Sequence, residues 1–131
     1  MERRAINPTP WLTHFGMNHA IEVKGGSRTL YLSGQTSTAA DGSTLNAGDL
    51  VAQFACAWAN VKDALAGANM VPTDVVRLNI YTTDVDMFMA RAGDIVPIFA
   101  ADGVQPVCTL LGVTRLFDPA VMIELEATAV A

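Results

Sequence analysis

The sequence predicts an α+β fold in which two helices cover one face of a mixed β-sheet. Three observations carry this expectation. Pro106–Arg115 and Val121–Ala127 are rich in β-branched and apolar residues and flank the turn signal Asp118-Pro119, which makes two strands. Apolar residues recur at helical spacing in two windows, 49–68 and 84–101. Shorter apolar runs bounded by glycine precede and separate these windows, so the expected order is β-β-β-α-β-α-β-β. Laying two helices on one face of such a sheet is the natural packing. It leaves the other face bare, which calls for further copies of the chain.

Each element has its own warrant. Residues 3–7 suit a short edge strand, and 8–17 (Pro-Thr-Pro-Trp-Leu-Thr-His-Phe-Gly-Met) read as an irregular lead-in. His19–Lys24 and Thr29–Ser33 flank Gly25-Gly26 and read as a hairpin. Asp41-Gly42 marks a further turn. In the first helical window Val51, Phe54, Ala55, Trp58, Val61 and Leu65 share a stripe. Asp49 is the expected N-cap and Gly67 or Asn69 the stop. Val75–Thr83 is a strand that alternates imperfectly, as one buried on much of both faces should. The second helix runs from Asp84 or Asp86 to about Ala101 on a stripe of Phe88, Ala92, Ile95 and Phe99, with a kink expected at Pro97.

Composition narrows the function classes. The 131 residues suit one domain, 1–131, large enough for a real core. Hydrophobic residues make up 51% and charged ones 16%, and the mean hydropathy is +0.32. That excess of apolar surface is most simply covered by copies of the same chain. No apolar run approaches the roughly 18 residues that cross a bilayer, and the two arginines after Met1 lead into no apolar signal segment. The expectation is a cytoplasmic protein without a membrane partner. Net charge is −5, the eight Lys and Arg are scattered, and the pI is near 4.7, which argues against nucleic acid. Cys56 and Cys108 stand in different elements without metal-ligand spacing, and Cys56, beside Phe54 and Trp58, reads as a small core residue.

The sharpest chemical signal is in Val121–Ala127. Successive strand side chains point to opposite faces, so Glu124 and Glu126 share one face while Ile123 and Leu125 share the other. Two carboxylates on an otherwise apolar strand face either water or a polar pocket. A pocket would point to function, because burying a carboxylate without partners is costly.

Several strings together resemble the YjgF/YER057c/UK114 (RidA, reactive intermediate deaminase; "endoribonuclease L-PSP") family. They are Leu32-Ser33-Gly34-Gln35, Ala59-Asn60-Val61, Asp74-Val75-Val76-Arg77-Leu78, Tyr81-Thr82-Thr83-Asp84, Pro106, Arg115-Leu116 and Ile123-Glu124-Leu125-Glu126-Ala127. The resemblance spans about residues 19 to 130. It implies a chorismate-mutase-like fold and a homotrimer whose sheets form an inner barrel, with small-molecule pockets at the subunit interfaces. It also implies hydrolysis of 2-imino acids to 2-keto acids and ammonia, with no metal and no organic cofactor.

Carried over residue by residue, the resemblance makes Glu124 the catalytic group beside the attacking water and Gly34 the pocket glycine. Thr109 matches the small hydroxyl residue of the substrate site. The carboxylate-gripping arginine belongs two residues after Pro106, where this chain has Cys108. An N-terminal Gly-Pro-Tyr-Ser-Gln string is replaced by Phe15-Gly16-Met17-Asn18-His19. A bidentate arginine in a partly buried site contributes about 2–4 kcal/mol, which a thiol cannot replace. Arg115 is an odd number of residues away and, on a regular strand, faces the other side.

Three readings of the pocket follow. In the first it is an enzyme, a hydrolytic deaminase of an imine- or enamine-type metabolite, with Glu124 as general base and Cys108 as pocket wall. A nucleophilic Cys108 would need a nearby base, and His14 and His19 are far away in sequence. In the second, the trimer binds a metabolite without turnover. In the third, it is an interaction trimer with a vestigial pocket. Loss of the arginine favours a ligand without an α-carboxylate, or one bound in reverse, and Trp11 and Phe15, if they close over the interface, would suit a flat one.

Overall fold

The computed structural model describes all residues, 1–131. Its strands are β1 (Glu2–Ile6), β2 (Ala20–Lys24), β3 (Thr29–Tyr31), β4 (Val75–Thr82), β5 (Val107–Gly112) and β6 (Ile123–Val130), and its helices are α1 (Leu50–Gly67), α2 (Val85–Ala90) and α3 (Ala92–Ala100). A four-stranded sheet runs in the order β3-β6-β4-β5. β6 is antiparallel to both β3 and β4, while β4 and β5 are parallel, so the sheet is mixed. β1 and β2 form a separate antiparallel pair. The α+β architecture with helices against a mixed sheet therefore stands.

Helix α1 begins and ends on local chemistry. The Asp49 carboxylate accepts a hydrogen bond from the Ala52 N–H at 3.1 Å, satisfying a donor that the first turn leaves free. At the other end Asn69 takes a left-handed φ of +55°, and Asn69 and Met70 donate their N–H groups to the carbonyls of Ala66 and Leu65. Between the caps, Phe54, Trp58, Val61 and Leu65 are fully buried against the sheet. Phe54 meets Phe99 of α3 and Phe88 of α2 with ring centroids 6.2 and 6.4 Å apart, a tilted cluster that locks the helices together. Each such ring contributes about 1.5–3 kcal/mol by leaving water.

Four expectations need correction. Gly25 does turn the chain, with φ +72°, but no hairpin forms. β2 pairs with β1 over five residues, and after the turn Ser27 and Arg28 donate to the Ala131 carbonyl, so β3 enters beside β6 instead. Pro97 does not break its helix. Pro97 and Gly93, whose carbonyl it cannot engage, are both exposed residues, and the break falls at Arg91 between α2 and α3. Ala55 is exposed, and its expected place in the core is taken by Gln53, which is 0% exposed. Cys56 is only half-buried, one position off the stripe.

Gln53 is buried because every polar atom has work. Its amide donates to the carbonyls of Asn46 and Ala120 and accepts from the Met122 N–H at 2.9 Å. It thereby ties α1 to the segment that delivers β6. No helix is long and apolar enough to cross a membrane.

Candidate functional site

Alternation along β6 sorts its side chains as the sequence requires. Ile123, Leu125, Ala127 and Ala129 are buried under the helices, while Glu124, Glu126 and Thr128 face the open side of the sheet. The register sets Glu124 opposite Tyr81 and Glu126 opposite Asn79 on β4. Glu126 is held: its Oε1 accepts from Asn79 Nδ2 at 2.9 Å and from the Tyr81 hydroxyl at 3.1 Å. That bond to a carboxylate holds the Tyr81 proton above the usual tyrosine range.

Glu124 is different. Its carboxyl is pushed above the ordinary glutamate value, first by burial and then by the charge of Glu126, and no hydrogen bond offsets either. It lies against Gly34. The reason is a bulge: Leu32 pairs with Ala127 and Gln35 with Leu125, so three steps on one strand meet two on β6. A Cβ placed on Gly34 would overlap Glu124 Oε1 and stand 2.6 Å from its Cδ. Only a glycine leaves room there for the carboxylate.

Cys108 lies elsewhere. In the parallel pair it stands beside Leu78, on the helix side of the sheet, whereas Thr109 stands beside Asn79 on the open side. Within one copy, Gly34 and Glu124 touch, Thr109 shares their face of the sheet, and Cys108 faces the other way. Burial pushes the Cys108 thiol up to about 12, so it stays protonated at neutral pH.

Cys108 opens into a cavity of about 230 Å³ whose ten lining residues are all apolar, among them Trp11, Phe15, Met89, Val96 and Leu110. Its outer wall is the lead-in, and that wall is tied down by amides. Asn7 donates to Asn18 Oδ1 at 2.8 Å, Asn18 donates to the Gln105 carbonyl at 2.6 Å, and Gln105 donates back to Asn18 at 3.1 Å. The Asn18 N–H also reaches the Pro106 carbonyl, just before β5. A short 3₁₀ turn, Thr13–Phe15, then closes at Gly16 (φ +71°) and sets Phe15 edge-on to Trp11, with centroids 5.9 Å apart. Arg115 follows β5 in a loop and lines a different cavity, of about 320 Å³, with Thr83, Thr114 and Asp118.

The sequence named Glu124, Gly34, Cys108 and Thr109, and the fold unites only the first two. The Asn79–Tyr81–Glu126 network was missed, although polar residues alternating along Asn79-Ile80-Tyr81 signalled a polar sheet face. The Asn7–Asn18–Gln105 clasp left no local signal, because Asn18 stands 11 residues from Asn7 and 87 from Gln105.

A helix-backed mixed sheet carrying a free, half-buried carboxylate on its open face defines an α+β protein with a small polar site. The chain belongs to the Rid/YjgF/UK114 family: the family model "Endoribonuclease L-PSP" matches residues 16–131. Among solved structures, the chain is 36% identical to the Rid-family protein YyfB of Yersinia pestis, over 100% of both chains with a TM-score of 0.89. The YjgF gene product of E. coli is 25% identical, over 83% of this chain and 84% of that one, at 0.69. Rv2704 of Mycobacterium tuberculosis, 24% identical over 99% and 100%, shares the fold at 0.64. No match was found among curated proteins.

Proposed function

We propose that this protein is a hydrolytic deaminase of an imine- or enamine-type metabolite, working as a homotrimer with its site shared between subunits. The observation that carries the reading is the Glu124 carboxylate against Gly34: half-buried, above its ordinary pKa and free of hydrogen bonds. A general base works best with a pKa near the operating pH and with lone pairs open to water. Glu126 suits this role less well, since Asn79 and Tyr81 both donate to its Oε1 and so stabilise the ionised form.

In this reading Glu124 draws a proton from water as the oxygen attacks the imine carbon. Protonated Glu124 then gives its proton to the carbinolamine nitrogen, the C–N bond breaks to release ammonia, and the hydroxyl proton passes back to the Glu124 carboxylate, leaving a carbonyl product. Gly34 shapes the base, and Thr109 and Cys108 contact substrate. Cys108 and Glu124 face opposite sides of the sheet in one copy, so a ligand that touches both bridges two copies. The inner barrel of sheets covers the bare face. Activity on 2-imino acids is weak, because Cys108 stands where the family resemblance expects the carboxylate-binding arginine.

The test is hydrolysis of 2-imino acids, generated in situ by an amino-acid oxidase, set against imines that lack a carboxylate. The wild type is expected to favour the latter and Cys108→Arg the former. Equal wild-type activity on 2-imino acids would remove the argument from Cys108. Light scattering should give three times 13.9 kDa, and a monomer at micromolar concentration sinks the shared site.

One observation favours a second reading, a metabolite-binding trimer without turnover: the cavity at Cys108 holds no charged or amide side chain. No loss of ammonia from any imine, with ligand binding retained, would decide for it. Scattered cations and a net charge of −5 leave cleavage of RNA without an electrostatic footing.

A further inference from the structure

We infer that the cavity between the lead-in and β5 is a subsite for a flat, uncharged group about the size of one aromatic ring, and that it sets the substrate class. This rests on the reading of the site given above and deepens it.

Three features point the same way. The cavity is lined by ten apolar residues of ten, whose side chains carry only two polar hydrogens, the Trp11 indole N–H and the Cys108 thiol. At about 12 that thiol carries no charge at any pH where the protein would work, so it neither attracts a cation nor repels a neutral ring. The size also fits. The pocket is half open to solvent, and its volume of about 230 Å³ exceeds the roughly 150 Å³ in which an enclosed apolar cavity takes up benzene, so one ring with a short substituent has room.

The walls supply the shape. Trp11 and Phe15 meet edge to face, an arrangement that offers a third ring further edge or face contacts. Trp11 is 58% exposed, far more than a ring with only a packing role needs to be. It is nonetheless held in place, because the Asn7–Asn18–Gln105 clasp fixes the segment that carries it. A carboxylate entering this cavity would shed its hydration and meet no cationic side chain, with only a neutral indole N–H and a thiol among the lining side chains to replace the lost water. The cavity therefore selects against the charge for which an arginine would select.

The probes are benzamide and benzoate, alike in shape and different in charge, titrated into the full chain while the Trp11 indole N–H signal is followed by ¹⁵N–¹H NMR. Benzamide is expected to move that signal and to bind at least tenfold more tightly than benzoate. Cys108→Arg should reverse the order, and Ala92→Phe, which fills the cavity from α3, should abolish the response. Equal or tighter binding of benzoate to the wild type overturns the inference, and so does a silent Trp11 with both probes at millimolar concentration. A Trp11 signal that moves with protein concentration alone, unaffected by benzamide, assigns the cavity to a second copy and overturns it too. Binding is read without turnover. An inactive protein that prefers benzamide keeps this subsite and loses only the deaminase reading.

Discussion

The Glu124 carboxylate occupies the space that a side chain on residue 34 would fill: a Cβ on Gly34 would stand 2.6 Å from Glu124 Cδ and 2.9 Å from its Cγ. Gly34→Ala therefore displaces the end of a flexible side chain rather than backbone. The variant should fold, with a melting temperature within a few degrees of wild type, and lose at least a hundredfold in kcat. Glu124→Gln should lose as much while keeping the oligomer. Full activity in Glu124→Gln would take Glu124 out of the mechanism.

The pH behaviour of Glu124 has a definite sign. Its carboxyl is held above the unfolded value by burial and by Glu126, so the ionised form is the one that folding disfavours. Stability from this group is fully present below the ordinary glutamate value, about 4.3, and is lost as pH rises through the raised one. Glu124→Gln should melt above wild type at pH 7, and the gain should vanish near pH 4. Activity runs the other way, because a base must be ionised. Glu126→Gln removes the second cause of the shift, so the acid limb of the pH–kcat profile should move to lower pH.

Cys108 should be a sluggish nucleophile. A thiol raised from 9.0 to about 12 holds about a thousandfold less thiolate at pH 8. In a Cys56→Ala background, alkylation by iodoacetamide should lag a free cysteine by two orders of magnitude or more. Labelling as fast as the free amino acid would show that the burial argument fails.

Gln53→Leu should cost about 2–4 kcal/mol, read as a shift in denaturation midpoint. It strands the buried carbonyl of Ala120 and the N–H of Met122, and each unsatisfied buried group costs about 1–3 kcal/mol. Amide exchange should accelerate over residues 118–122 before it does so elsewhere. Glu124 enters the sheet from that segment, so kcat should fall as well.

Much of this was legible in the residues. The caps of α1, the aromatic stripe and the Glu124/Glu126 alternation all follow from local periodicity and capping chemistry. What local rules lack is the identity of partners. Gly25-Gly26 announces a turn but not that β3 will pair with β6 rather than β2. A proline announces a missing donor but not that the helix will break six residues earlier, at Arg91. Gln53 looks polar until Asn46, Ala120 and Met122 are brought to it. The contact of Gly34 with Glu124 needs a bulge, and a motif match alone puts Cys108 and Thr109 in one pocket although adjacent strand residues face apart.

The position of β6 has a consequence for how the chain is made. It is the latest of the six strands to be synthesised, yet it lies between β3 and β4, pairing Thr29 with Val130 across a separation of 101 residues. Until residues 123–130 clear the ribosome, β3 has no neighbour and the apolar side of α1 has only a partial sheet to cover. The nascent chain must therefore carry that exposed surface from the synthesis of α1 until β6 emerges, since so non-local a pairing cannot form in stages. Ribosome-stalled chains ending before residue 123 should remain protease-sensitive throughout, and resistance should arrive in a single step once β6 emerges.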